Sequence, residues 1–492
     1  MDSPLLYEIN TRCWLRDLSE TRGTAVTLGD IPESQFAAWQ EAGFTHIWLM
    51  GVWTGGPLSR EKALHAAGLE RAYSEALPDW TEQDVGPSPY SIAAYRVSQT
   101  LGGEPALVEF RRKLRGYGMK LILDFVPNHV GLDHPWITEQ PELLVQSSSP
   151  VPDTFMVQTH AGTRFLAYGK DPNCGAWTDT VQLDYRKAET QAAMQAVLRN
   201  IAGLCDGVRC DMAMLVLADV FGSTWKAIPV AEPAPPTEFW SEAISGTRRF
   251  QPGFLFLAEV YWGLEARLQS LGFDYTYDKA LYDSLIARSG PAVQRHLLEM
   301  PAPCVAGCAH FLENHDERRV ASVLSDEEQR AAALVILGVP GMRFLHEGQL
   351  EGARRRLPVQ LIRRAGEPVN QQVRESYTRI LAALRQSSVG RGTPALLEPR
   401  RAWQDNPTAE NFVLVQWTAP TKTFDIVVVN LAPHPAQCYA PVKPPAKTSL
   451  WSMKDLLGPQ SFKRATDDLL TRGLYLDLPA HGAQIFHFEP AA

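Results

Sequence analysis

The sequence predicts an α/β protein: a (β/α)8 barrel with a small inserted domain after the third strand and a C-terminal antiparallel β domain. Three observations predict it. Eight short, almost continuously apolar, β-favouring runs alternate with amphipathic segments, as parallel strands covered on both faces do, and eight is the number that closes such a barrel. A stretch rich in Pro, Asp, Ser and Trp (130–186) separates the third run from its helix, which is too long for a plain connection. Beyond about residue 390 the chain turns to β-runs with a proline-rich stretch among them, the pattern of a separate antiparallel unit.

In chain order the runs are LLYEINTRCW (5–14), THIWLMGVW (45–53), MKLILDFVPNH (119–129) and CDGVRCDMA (205–213). GFLFLAEV (253–260), GFDYTYD (272–278), CVAGCAHFLENH (304–315) and GMRFLHEG (341–348) complete the set. Between them, ESQFAAWQEAGF ends at Gly43, directly before a run. EPALVEFRRKLRGYG puts Leu107, Phe110, Leu114 and Tyr117 on one helical face, and its glycines suit a C-terminal cap. VAEPAPPTEF (230–239) is expected as a rim loop after the fourth strand. FVLVQWT, TFDIVVVNLA, SLWSM and GAQIFHFE supply the C-terminal strands. The expected division is a barrel from 1–129 and 187–390, an inserted domain over 130–186, and a β-sandwich over 391–492.

A chain of 492 residues is too long for one compact core. A net charge of −8 argues against nucleic acid or an anionic membrane as the main partner; a neutral ligand is compatible. No basic segment followed by an apolar one opens the chain, and no apolar run reaches the roughly 18–20 residues that span a bilayer, so the cytoplasm is the expected compartment, with a secreted mature fragment as the alternative. Seven scattered cysteines without a CxxC pair predict neither a disulfide framework nor a zinc site.

Chemistry collects at the C-terminal ends of the runs, where such barrels carry their catalytic groups. The third run ends in Asp124, Asn128 and His129, and the fourth in Arg209 and Asp211. The fifth ends in Glu259, and the seventh in Asn314, His315 and Asp316. Arg209 and Asp211 are two apart, so a strand points both to one side while Val208 and Cys210 point to the other. Alone, such a pair is more often a structural ion pair. Core packing, however, gives no reason for four polar clusters at the same end of four apolar strands.

DFVPNHV, GVRCDMA, FLAEV and FLENHD, in this order and spacing, resemble the four signature regions of glycoside hydrolase family 13, the α-amylase family. The resemblance covers roughly residues 5–390. It implies that Asp211 is the nucleophile that forms a covalent glycosyl-enzyme and that Glu259 is the general acid and base. It implies that Asp316 binds sugar hydroxyls and helps distort the ring. His129 and His315 correspond to histidines that hydrogen-bond the sugar at the cleavage point, and Asp124 to a structural carboxylate near the base of the site. Tyr90, in GPSPYSIAAYRV, corresponds to a tyrosine that stacks on that sugar. Retaining cleavage needs two carboxyl groups about 5–5.5 Å apart, which adjacent strands can supply. Arg209 is expected to keep Asp211 ionised, while Glu259 needs a raised pKa to hold its proton.

Among the tryptophans, Trp48 is expected in the core, and Trp262, three residues beyond Glu259, is a candidate platform for a neighbouring sugar. Cys210 is expected against a helix, and the Arg354-Arg355-Arg356 run on the surface. The sequence departs from the family where many members bind calcium. Met214-Leu215 replaces the usual Lys-His pair after the nucleophile, and Gln182 stands where an aspartate ligand is expected. A hard cation prefers carboxylate oxygen, so no metal and no cofactor are expected, with Asn128 satisfying backbone groups. Met214-Leu215 is also expected to make the leaving-group side of the cleft more apolar. The expected substrate is an oligo- or polysaccharide α-glucan cleaved at α-1,4 bonds. Transglycosylation or exo-acting α-glucosidase chemistry on maltose, sucrose or trehalose is the alternative, and a catalytically dead binding relative is argued against by the intact Asp211, Glu259 and Asp316.

Overall fold

The computed structural model describes residues 3–159, 162–230 and 238–491. Eight parallel strands close a barrel: β1 (Leu5–Asn10), β2 (His46–Met50), β3 (Lys120–Phe125), β4 (Gly207–Cys210), β5 (Leu255–Ala258), β6 (Tyr275–Tyr277), β7 (Cys308–His310) and β8 (Met342–His346). Each strand pairs with its sequence neighbours, and β1 closes on β8 with Glu8 opposite His346 and, on its other side, Trp48. Alternate residues fill two cores. Leu6, Trp48, Ile122, Leu257, Tyr277 and Phe344 pack inside the barrel, while Tyr7, Ile47, Leu123, Val208 and Cys210 pack against the helices.

Each of the eight expected runs contains a barrel strand, but the strands are shorter than the runs. β1 stops at Asn10, whose side chain accepts a hydrogen bond from Cys13 N and caps α1 (Thr11–Arg22), so the second half of LLYEINTRCW is helix. β2 is broken at Gly51, which has φ +81°, and Trp53–Gly55 pairs instead with Ile92–Val97 in a separate antiparallel ribbon. The start of CVAGCAHFLENH lies in the helix Ala302–Ala306, not in β7. α2 (Glu33–Ala42) ends on Gly43 at φ +90°, as the pattern requires. In the helix Gly103–Gly116, Leu107, Phe110 and Leu114 are buried.

After β3 the chain leaves the barrel. His129–Gly131 pairs with Thr180–Gln182, and three short antiparallel strands between Gln146 and Ala167 form a further sheet. The helix Ala188–Leu204 then returns it to β4. Of the expected loop 230–239, residues 231–237 lie outside the described residues. The C-terminal part contains a six-stranded and a three-stranded antiparallel sheet. The proline-rich stretch contributes a strand of its own, Ala436–Ala440.

Candidate active site

Arg209 is the centre around which the site is built. It lies on β4, opposite Asp124 of β3 and Leu257 of β5, and is 0% exposed. A fully buried guanidinium must have every N–H and its charge answered by the protein. Nη1 donates to Asp211 Oδ1 at 2.7 Å and lies 3.5 Å from Asp124 Oδ1. Nη2 donates to Glu259 Oε2 at 2.6 Å, and Nε to the Tyr277 hydroxyl at 3.3 Å. The rings of Trp48 and Tyr90 lie 5.3 and 5.0 Å from the guanidinium carbon.

β4 ends at Cys210, so Asp211 is the first residue beyond the strand. It is held by its N–H donating to the Phe125 carbonyl at 2.9 Å. Met212 follows in the left-handed region at φ 42°, and its N–H donates to Glu259 Oε2 at 2.8 Å. This turn brings Asp211 and Glu259 to the same cation. Tyr261, two residues past Glu259, donates from its hydroxyl to Oε1 at 2.8 Å.

On the other side of the mouth, His315 Nδ1 lies 2.5 Å from Glu8 Oε1. Its Nε2 faces Asp316 Oδ2 at 2.9 Å and the Tyr90 hydroxyl at 2.7 Å. Tyr90 stacks on the imidazole at 5.3 Å and 24°. A ring with a carboxylate at each nitrogen is held as the imidazolium. Burial disfavours that charge, but Asp316 and Glu8 raise the His315 pKa well above its ordinary value. Asp316, its side chain 42% exposed at the mouth, is held below the usual carboxylate range by the facing His315.

The remaining carboxyl groups move the other way. Burial pushes Glu259 up to about 7, with Arg209 opposing and Asp211 and Asp316 adding to the rise. Burial pushes Asp124 up to about 6. Asp211 is raised too: burial outweighs Arg209, with Asp124 and Asp316 adding to the rise. This corrects the expectation that Arg209 simply keeps Asp211 ionised. The guanidinium is shared with Glu259 and Asp124, so one positive charge cannot fully offset the surrounding carboxylates.

The structure thus brings Asp124, Arg209, Asp211, Glu259, His315, Asp316 and Tyr90 into one cluster. His129 lies at the start of the inserted ribbon, 5.2 Å from the Trp177 ring, and burial lowers its pKa to about 4. Among the described residues it makes no hydrogen bond to the carboxylates. Trp262, three residues beyond Glu259, is 45% exposed at φ 66°, and no hydrogen bond or ring contact ties it to the cluster among the described residues. Trp48 is in the barrel core as expected, yet it also floors the site, 5.6 Å from His315.

Met214 and Leu215 correct another expectation. They are 0% and 3% exposed in a 3₁₀ turn and join the core between barrel and helices. They therefore present no apolar wall to the cleft. Cys210 is buried in that same core, and Arg354–Arg356 are exposed.

Glu8, Tyr261, Tyr277 and Trp177 were not singled out by sequence reasoning. Glu8 and Asn10 alternate with apolar residues in β1, and Tyr261 is two residues past Glu259. The same-side spacing that picked out Arg209 and Asp211 could have found them. Nothing local distinguishes Tyr277 or Trp177.

At the calcium position expected in many relatives, Gln182 Nε2 donates to Asn128 Oδ1 at 3.0 Å, to the Asn128 carbonyl at 2.7 Å and to the Leu183 carbonyl at 3.1 Å. Gln182, not Asn128, therefore satisfies the backbone carbonyls there. Two amides bonded to each other, with no carboxylate, do not fit a hard cation. Among the described residues no group of three or more His, Cys, Asp or Glu is placed to hold a metal.

Residues 40–356 match the model of the alpha-amylase catalytic domain. Alpha-amylase MalA of Haloarcula japonica is 24% identical over 283 residues, which cover 56% of this chain and 38% of that protein. Trehalose synthase of Thermus thermophilus is 26% identical over 243 residues, covering 44% of this chain and 24% of that protein. The chain thus spans well under half the length of these curated relatives. Among solved structures, the noncanonic maltogenic alpha-amylase AmyB of Thermotoga neapolitana superposes with a TM-score of 0.68 at 17% identity, covering 99% of both chains. The alpha-amylase of Geobacillus thermoleovorans does so with a TM-score of 0.67 at 16% identity, also covering 99% of both.

Proposed function

The chain belongs to the α-amylase family of glycoside hydrolases, and from that premise we propose that it cleaves α-1,4-glucosidic bonds of starch or maltooligosaccharides with retention of anomeric configuration. The observation that carries this reading is the shared guanidinium, with Asp211 at 2.7 Å and Glu259 at 2.6 Å from its two terminal nitrogens. In this reading Asp211 attacks the anomeric carbon while Glu259 gives its proton to the leaving oxygen, which departs with the bond electrons. Water then gives a proton to Glu259 and its oxygen to the anomeric carbon, and Asp211 is released. Glu259 starts protonated because burial raises its pKa to about 7. Once ionised it is stabilised by Arg209 and by the Met212 N–H.

His315, Asp316, Asp124, Tyr90 and His129 are the groups assigned to the bound sugar, with Trp262 at a neighbouring position. The catalytic unit in this reading is residues 1–129 and 187–390. Incubation with starch, maltoheptaose, sucrose and trehalose, with products separated by chromatography and anomers followed by proton NMR, tests it. Short α-anomeric maltooligosaccharides are the expected products; β-anomeric first products sink the retaining mechanism.

A second reading is favoured by the 26% identity to a trehalose synthase over 243 residues: exo-action, or transfer of the glycosyl group to a sugar hydroxyl, through the same Asp211 and Glu259. Mainly glucose, or new linkages, in the same experiment would establish it.

A further inference from the structure

The two carboxyl oxygens of Glu259 have unlike surroundings, and the difference fixes where its proton can sit. Oε2 receives Arg209 Nη2 at 2.6 Å and the Met212 N–H at 2.8 Å. Both neighbours are donors that cannot accept, so a proton on Oε2 would meet two others head-on. The proton of the neutral carboxyl group therefore belongs on Oε1. Among the described residues, the hydrogen-bond partner of Oε1 is the Tyr261 hydroxyl, at 2.8 Å.

The chain that leaves β5 holds both partners in place. The Glu259 N–H donates to the Cys210 carbonyl, and the Glu259 carbonyl accepts from the Ala213 N–H, both at 3.0 Å. Val260 is buried in the core between barrel and helices, and Tyr261 is partly buried against it. Directly beyond, Trp262 and Gly263 both lie in the left-handed region, at φ 66° and 72°. The Leu264 N–H reaches back to the Tyr261 carbonyl at 3.4 Å. A bulky residue seldom adopts that conformation; here it reverses the chain immediately after Tyr261. Burial, with the charges of Glu259 and Asp316, raises the Tyr261 pKa above its ordinary value, so the hydroxyl keeps its own proton.

A neutral phenol both accepts and donates. We propose that Tyr261 is a further catalytic residue: its hydroxyl accepts a hydrogen bond from the protonated Oε1 of Glu259 and, once that proton has gone to the leaving oxygen, donates to the same Oε1. This rests on the reading of Glu259 as the acid. The leaving oxygen takes the proton from Oε1 together with the electrons of its bond to the anomeric carbon, where Asp211 forms the new bond. Tyr261 keeps its proton and only turns its O–H, so the carboxylate meets a waiting donor without any heavy atom moving. In the second step water returns a proton to Oε1, and the Tyr261 hydroxyl turns back.

Tyr261→Phe removes only the hydroxyl oxygen. The test compares its kcat/KM on maltoheptaose, whose leaving sugar oxygen needs a proton, with that on α-maltosyl fluoride, whose fluoride leaves without one. Measurement at about pH 6 keeps Glu259 protonated, and kcat/KM stops at the first bond cleavage, so the return of water does not enter. The maltoheptaose value is expected to fall about tenfold or more, the equivalent of one hydrogen bond to a charged group. The fluoride value is expected to change by less than about twofold, which also shows that the variant folds and that Asp211 works. Equal losses on both substrates overturn the proposal, because a disturbed fold produces them. So does an unchanged maltoheptaose value, or a higher KM at unchanged kcat, which marks a contact with bound sugar alone. Glu259→Gln tests the reading beneath and is expected to show the same selective loss, but deeper. If Glu259→Gln slows both substrates alike or neither, or the unmutated protein cleaves neither, the assignment of Glu259 as acid falls and the role of Tyr261 with it.

Discussion

Arg209 decides how the two proposed catalytic carboxyl groups differ. It is bonded to both, so their difference arises from what else touches each. Glu259 is buried to a pKa of about 7 and flanked by Asp211 and Asp316. As the proton donor it must be protonated in the free enzyme, so kcat/KM is expected to fall as pH rises through about 7. Asp211 must be ionised, and its pKa is raised above the ordinary carboxylate value, so the acid limb is expected above the usual carboxylate range. Tyr261 donates to Glu259 and thereby favours its ionised form. Tyr261→Phe should move the alkaline limb to higher pH by about one to two units, since a hydrogen bond to a charged group is worth ~1.5–3 kcal/mol in a buried site. A limb that stays or moves down would contradict the assignment of Glu259 as acid. Glu259→Gln should lower kcat by about 10²- to 10⁴-fold, the usual share of general acid–base catalysis. Asp211→Asn retaining full turnover would refute the nucleophile assignment.

Among the elements, the ribbon that pairs His129–Gly131 with Thr180–Gln182 ties the inserted part to the barrel. Its buried junction is the amide pair Asn128–Gln182, with Gln182 also satisfying two backbone carbonyls. Removing that side chain leaves buried acceptors unanswered, at about 1–3 kcal/mol. Gln182→Ala should therefore lower unfolding free energy in urea by roughly that amount, while EDTA should leave both melting temperature and activity of the unmutated protein unchanged. A large loss in EDTA would show a metal held elsewhere. The strands themselves were legible because each is short, apolar and bounded by polar or glycine residues. Their ends were not. Asn10 caps a helix and Gly51 turns the chain, and both act through backbone geometry that an apolar pattern does not record.

The whole molecule depends on the contact between barrel and C-terminal sheets. The helix Asp326–Gly338 is buried almost throughout its last eight residues, from Ala331 to Gly338, and a helix apolar on all sides needs cover on all sides. Part of that cover is the six-stranded sheet: Trp417 Nε1 donates to the Gly338 carbonyl at 2.8 Å, and a Cβ on Gly338 would stand 2.6 Å from Val427 Cγ1. A chain ending at residue 390 is expected to be insoluble, and Gly338→Val to lower the melting temperature sharply; a soluble, active truncation would show that the barrel stands alone. By itself the sequence determined the eight-strand alternation, the stretch after the third strand, the β-rich end and most members of the polar cluster, whose proposed roles rest on the family resemblance. These are repeated or local patterns of apolar periodicity and residue spacing. Only the tertiary structure decided that Arg209 serves Glu259 as well as Asp211, that Glu8 stands behind His315, and that Met214 and Leu215 turn into the core. Each of these is a meeting of side chains set by strand register and a single left-handed turn at Met212, which no linear spacing encodes.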